Sequence, residues 1–155
     1  QFVNESLLRM YCYEREGGII SAISYDGGTT FEQEPGMRLV QAGPWDGHAA
    51  FAPEIMQIND GGYVMYYAGY GSLDRAHILR ATSQDGFLWR KEGPAISPGP
   101  DGWDAVKCSE MALLALPLDS DGRSRFRLLY EACDGTSAGQ RGVWRIASAS
   151  TVITK

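Results

Sequence analysis

The chain has 155 residues, of which 44% are hydrophobic and 21% are charged, and this composition indicates a folded globular domain. Its net charge of -5 and pI near 5.0 give no long-range attraction to phosphate groups, so neither nucleic acid nor an anionic membrane surface is expected as a partner. No apolar run approaches the roughly 20 residues that a membrane-spanning helix needs.

The cysteines indicate a reducing environment. Cys12, Cys108 and Cys133 are odd in number and lack the C-x-x-C spacing of a zinc site, so they are expected as buried thiols. The first residues lack the basic start and apolar centre of a signal peptide. These observations favour a cytoplasmic location.

The first clear motif is SYDGGTTF, Ser24–Phe31, which fits the pattern S-x-D-x-G-x-T-F of the Asp box. A shorter copy, SQDGFLW, spans Ser83–Trp89. Asp26 and Asp85 are expected to accept hydrogen bonds from their own turn's backbone, while glycines allow the required backbone angles. The motif therefore predicts a turn between two strands.

Short runs of alternating polarity repeat along the chain and predict an all-β protein. Residues 7–14, 63–70 and 126–133 resemble one another, and each is followed by a second similar run. A repeat of 40 to 60 residues with about four short strands is typical of a β-propeller blade. We predict one domain of three blade-like units, about 1–47, 48–106 and 107–155, with about ten antiparallel strands.

The predicted set amounts to about two and a half blades, whereas a propeller usually closes with at least four. The first unit has no clear innermost strand before Leu7, and the third has no fourth strand. Exposed strand edges favour association. We therefore expect two chains to complete one ring as a homodimer; the alternative is a piece of a longer protein.

The stretch FAPEIMQINDGGYVMYYAG, residues 51–69, resembles the five-bladed propeller glycoside hydrolases of the arabinanase and β-xylosidase kind. Residues 78–111 are similar to the repeat of predicted propeller glycosidases and mannosidic phosphorylases. The resemblance extends over most of residues 7–150 as repeat pattern. It implies a propeller fold and carboxylates on the innermost strands: an Asp base, an Asp that tunes, and a Glu acid.

Carried over by position, the resemblance places Glu54 and Glu110 at the acidic sites of two successive blades, as candidate catalytic residues. Each enters an otherwise apolar strand, where an unpaired charge would be costly. They either line a central funnel or tie adjacent blades together by a salt bridge or hydrogen bond. No residue of the first unit corresponds to the base.

Further candidate ligand-binding residues precede the inner strands. His48 lies in a loop leading to an inner strand and is able to reach a sugar hydroxyl. Trp45 and Trp103 either stack on a sugar ring or pack between blades. Asp104 either contacts the ligand or bonds its own turn, Asp46 is expected to bond its own turn, and Lys107 is a weaker candidate for the funnel. His77 is expected at the surface.

Two functions follow from these observations. The first is a carbohydrate-active protein, either glycosidase-like or glycan-binding, and the alternative is a non-catalytic interaction module built on the propeller repeat. No cofactor or metal is expected, because two histidines are too few for a metal site without carboxylate help.

Overall fold

The computed structural model describes residues 7–15, 17–58, 61–135 and 142–152. All regular structure in these residues is β-strand, arranged as three antiparallel units that we call the first, middle and third blade. The first blade contains β1 (Leu8–Glu14), β2 (Gly18–Ser24), β3 (Glu32–Gln33) and β4 (Leu39–Val40).

The outer strand of the first blade is split into two pieces. Both β3 and β4 pair with β2, at its end and at its beginning respectively. Pro35 lacks an N–H for a ladder, and Gly36 has a φ of 78°, so the chain bends between the two pieces. The described residues therefore contain eleven strands instead of the ten predicted.

The middle blade is a complete four-stranded meander. Its strands are β5 (Ala49–Gln57), β6 (Tyr63–Ser72), β7 (Arg75–Ser83) and β8 (Arg90–Ile96), and each pairs antiparallel with the next. These four consecutive strands agree with the predicted blade of about four short strands. We call β5 the inner strand, β6 the second, β7 the third and β8 the peripheral strand.

The third blade contains β9 (Lys107–Leu116), β10 (Arg125–Cys133) and β11 (Trp144–Val152), again paired antiparallel in sequence. A single parallel bridge between Ala76 and Lys107 connects this blade to the middle one. The predicted unit boundaries, 47/48 and 106/107, fall just before the inner strands β5 and β9.

Two apolar layers hold the blades together, and β6 contributes to both because alternate side chains of a strand point to opposite faces. One layer lies between the first and middle blades, and the other lies between the middle and third blades. The first layer includes Ile19, Leu39, Met65, Tyr67 and Leu79. The second includes Val64, Tyr66, Met111, Phe126, Leu128 and Tyr130.

The two Asp-Gly turns form the predicted hydrogen bonds. The backbone N–H groups of Thr29 and Thr30 donate to Asp26 Oδ1 at 3.0 and 2.9 Å. In the second turn, the N–H groups of Phe87 and Leu88 donate to Asp85 Oδ1, both at 2.8 Å. Asp26 thus organises the connection from β2 to β3, and Asp85 organises the connection from β7 to β8.

Candidate functional site

Both inner strands carry a β-bulge beside a glutamate. In β5, Ala52 and Pro53 lie opposite the single residue Tyr67, and Ala52 has a φ of 49°. In β9, Glu110 is itself the extra residue, because Ser109 and Met111 pair with adjacent residues of β10. Bulges re-aim side chains and are frequent next to active sites.

Glu54 follows its bulge and is half-buried. Burial raises the pKa of its carboxyl group, and a hydrogen bond from the backbone N–H of Leu113 partly opposes this. Leu113 belongs to β9, so the bond ties the middle blade to the third. Glu54 also lines a cleft of about 300 Å³ together with Arg9, Tyr11 and Phe31 of the first blade.

Glu110 is exposed and lines a different cleft, of about 280 Å³. The sequence comparison set Glu54 and Glu110 as equivalent, but they lie differently around their bulges and open into separate clefts. Both clefts lie between the first blade and β5. The Glu110 cleft is lined by Tyr13, Glu14, Arg15, Gln41, Ala49, Ala50, Phe51 and Glu110.

Aromatic side chains form one wall of the Glu110 cleft. The rings of Tyr13 and Phe51 meet edge to face with centroids 6.1 Å apart. Phe51 also stacks on Tyr70 at 5.6 Å, and Tyr70 bonds Ser109, the residue before Glu110. The rings are therefore held by one another and by the strand that carries the carboxylate.

The sequence reading missed Glu14, which lies in the same cleft as Glu110. A signal was present: Glu14 ends β1, and second strands end where inner strands begin. Stacking of the first blade on β5 then brings the end of β1 beside the start of β5. A further carboxyl, Glu131, lies near Glu110, and burial together with the Glu110 charge raises its pKa.

His48 and Trp45 lie in the loop before β5. The His48 side chain is exposed. Its backbone N–H donates to the Tyr70 carbonyl oxygen at 2.9 Å, and its backbone carbonyl accepts a hydrogen bond from Gln41 Nε2 at 2.8 Å. Trp45 is 42% exposed, and its ring lies 4.9 Å from the His77 ring. This loop borders the Glu110 cleft, since Gln41 and Ala49 line it.

The prediction that His77 lies at the surface is wrong. His77 is only 6% exposed, with Nδ1 3.0 Å from Ser97 Oγ, and burial lowers its pKa. Trp45 covers it, which the sequence did not indicate because the contact joins a loop to a strand more than thirty positions away.

Asp46 was expected to bond its own turn, but it joins two strands. Its carboxylate accepts hydrogen bonds from the Tyr67 hydroxyl at 3.1 Å and from Lys91 Nζ at 2.5 Å. Asp46 is almost completely buried, so this pair anchors the loop before β5 onto the middle blade.

The candidates before β9 occupy unlike surroundings. Trp103 is 43% exposed and Asp104 is half-buried. Lys107 is completely buried, with Nζ 5.6 Å from the centre of the Trp144 ring, and burial lowers its pKa. A direct contact between Lys107 and a ligand is therefore not supported, whereas Trp103 and Asp104 remain accessible.

The described residues contain no group of three His, Cys, Asp or Glu side chains that could hold a metal ion. None of the three cysteines is in a disulfide; Cys108 and Cys133 are buried and Cys12 is partly buried. Within the described ranges, no helix is long and apolar enough to cross a membrane.

No protein-family profile and no curated protein matches this chain. Solved structures do match. An N-acetylgalactosamine deacetylase from F. plautii, solved with blood group B trisaccharide, aligns with a TM-score of 0.69 and 20% identity over 95% of this chain and 47% of its own. A thermostable family-43 glycoside hydrolase aligns with a TM-score of 0.69 and 16% identity, over 99% and 46%.

A GH43 endo-arabinanase from Bacillus licheniformis aligns with a TM-score of 0.57 and 19% identity, over 92% of this chain and 52% of its own. The chain therefore spans about half the length of these structures. At such identities the likeness shows the fold alone: this protein has the all-β propeller fold that glycoside hydrolases also use.

Proposed function

We propose that this protein is carbohydrate-active and that a sugar occupies the Glu110 cleft. The observation that carries the proposal is an exposed inner-strand carboxylate facing a cleft with aromatic walls and a second carboxylate, Glu14. Sugar rings have apolar faces and hydroxyl-bearing edges, and this lining has groups suited to both. The glycoside hydrolases among the structural neighbours support the same assignment.

The two glutamates have the chemistry that glycoside hydrolysis requires. One carboxylic acid protonates the leaving oxygen while a carboxylate activates water or attacks the sugar. We assign Glu110 as the acid, following the resemblance, and Glu14 as the candidate base that the sequence reading did not find. Glu131 lies close enough to Glu110 for the Glu110 charge to contribute to the raised pKa of Glu131.

The remaining candidates surround this pair. Arg15 offers hydrogen-bond donors in the cleft, and Gln41 donates to the carbonyls of Gly47 and His48 in the bordering loop, where the His48 side chain is exposed. Glu54 lies in the neighbouring cleft of the same seam, where it would meet a ligand extending past Glu110. Trp45, Trp103 and Asp104 precede the inner strands and are proposed as contacts at the rim.

The test separates binding from turnover. The chain is titrated with a panel of oligosaccharides by calorimetry and assayed on aryl glycosides. Glu110→Gln and Glu14→Gln should retain sugar binding and lower hydrolysis by about 100-fold or more, the usual contribution of a general acid or base. The matched control is Glu32→Gln, an exposed glutamate on the peripheral strand β3.

Two results would contradict the proposal. The absence of binding or hydrolysis across the panel removes carbohydrate activity. Binding with unchanged hydrolysis in Glu110→Gln removes the assignment of the acid and leaves a different catalytic group.

A further inference from the structure

The third blade exposes an apolar face on the side away from the middle blade. We call it the trailing face. Leu129 of β10 is 42% exposed, and Ile146 of β11 is 73% exposed. Their neighbours on the same side of the sheet are Leu114, 54% exposed, and Trp144, 37% exposed.

The alternation of β10 explains this face. Phe126, Leu128 and Tyr130 are buried against the middle blade, so the residues between them point the other way. On the middle blade the corresponding side, with Val64 and Tyr66, is covered by the third blade. The trailing face thus carries large apolar side chains, as a blade interface does, together with the charged Arg127 and Glu131 of β10, and it has no neighbour among the described residues.

The first blade has a matching face on its side away from the middle blade, which we call the leading face. Val40 of β4 is 57% exposed, and Met10 of β1, 42% exposed, lies at the edge of this face, where it also lines the Glu54 cleft. Between them lie Cys12, Ile20 and Ala22, all partly buried. Their neighbours in sequence, Tyr11 and Ile19, pack against the middle blade, which fixes the orientation of both strands.

We propose that the trailing face of one chain packs on the leading face of a second copy, and that the same contact forms in return. This arrangement repeats the stacking already present in the chain. The first blade packs on one side of the middle blade, and the middle blade packs in the same way on the third. Each copy offers one face of each kind, so two copies satisfy both faces. A head-to-tail contact whose rotation closes gives a ring and not a filament.

Sedimentation velocity of the full chain over a wide concentration range tests the proposal. The expected mass is twice the 17.0 kDa of one chain. Ile146→Asp on the trailing face and Val40→Asp on the leading face should each weaken association by 100-fold or more. Leu73→Asp, an exposed leucine in the turn between β6 and β7, is the matched control and should change nothing.

Mixing the two variants gives a sharper result. In each pure variant both contacts of the ring carry one aspartate, whereas a mixed pair has one doubly altered contact and one intact contact. One aspartate is expected to break a contact, so a second aspartate in the same contact adds little. The mixture keeps one intact contact and should therefore associate more strongly than either variant alone. Circular dichroism of each variant establishes that it is folded.

Three outcomes would overturn the proposal. A monomer at all concentrations means that a different occupant, such as further blades of a longer chain, covers these faces. Association that survives both substitutions places the contact elsewhere. A mixture no stronger than its components, or an open-ended series of larger assemblies, excludes the closed head-to-tail pair.

Discussion

The middle and third blades are built from the same repeat, yet their second strands have different surroundings. In β6 the run Tyr63–Gly69 is buried throughout, because one blade lies on each side. In β10 burial alternates, and Leu129 stays exposed between Leu128 and Tyr130. The difference shows that the number of neighbouring blades, rather than the repeat sequence, determines how much of a strand is buried.

The largest expected effect concerns Tyr66, which lies in the layer between the middle and third blades and is 5% exposed. Tyr66→Ala should lower the free energy of unfolding by about 3 to 5 kcal/mol, the range for large aromatic residues in cores. Leu129→Ala, on the trailing face, should cost about 1 kcal/mol or less. Urea unfolding of both, in an Ile146→Asp background that keeps the chains apart, measures the contrast. Equal losses would mean that the two strands are equally covered.

The second effect compares two ion pairs. Asp46 is buried and binds Lys91, whose side chain is 31% exposed, whereas the Asp134–Arg145 pair of the third blade is more open. Asp46→Ala should destabilise the protein by about 2 kcal/mol, because it also leaves the Tyr67 hydroxyl without its acceptor. Asp134→Ala should have a smaller effect in the same unfolding experiment. The reverse order would show that the loop before β5 is not anchored through Asp46.

The third effect is a pH dependence at Glu54. Its folded pKa is raised, so its contribution to stability is complete below the unfolded pKa and is lost as the pH rises through the folded value. Glu54→Gln keeps an acceptor for Leu113 N–H and should raise the melting temperature at pH 7 by about 1 to 3 °C, with the gain vanishing near pH 4. Glu32→Gln, at an exposed position on β3, should not change the melting temperature. A pH-independent gain would contradict burial as the cause.

The smallest effect concerns the Asp-Gly turn, which follows β2 in the first blade and β7 in the middle blade. Hydrogen bonds from Thr30 and Ser24 lower the pKa of Asp26 to about 2. Its stabilising contribution should therefore persist above the usual carboxyl pKa and disappear only as the pH falls through about 2. Carbon-13 NMR titration of the Asp26 carboxyl measures this midpoint. A midpoint at the usual value for aspartate, 3.8, would mean that the turn does not hold the carboxylate.

The sequence predicted the strand order well, because alternation and Asp-Gly turns are local signals. Strands β3 and β8 begin at Glu32 and Arg90, directly after the two motifs that predicted a turn between strands. The division of the first peripheral strand was not predicted, although Pro35 and Gly36 carried the information. Local pattern therefore determines which segments form strands, and proline decides where a strand is interrupted.

The candidate site was less predictable, because it depends on contacts between distant segments. The burial of His77 follows from Trp45, and the surroundings of Lys107 include Trp144. Glu14 joins Glu110 only once the first blade is stacked on β5. The short segments around Glu54 and Glu110 are similar in sequence. They gave no indication that the bulge of β5 precedes Glu54, whereas the bulge of β9 contains Glu110.

The bulge of β5 adds one residue between Phe51 and Glu54 relative to the paired strand β6. Phe51 and Met56 contact one apolar layer while Ile55 contacts the other, which uninterrupted alternation from Phe51 would reverse. Deleting Ala52 or Pro53 would therefore remove the bulge but leave Glu54, Ile55 and Met56 on their present sides, because a single residue would then lie opposite Tyr67. A loss of one residue at the bulge should therefore be tolerated, whereas a loss of one residue between Glu54 and Gln57 would move the side chains that follow it to the opposite side of β5.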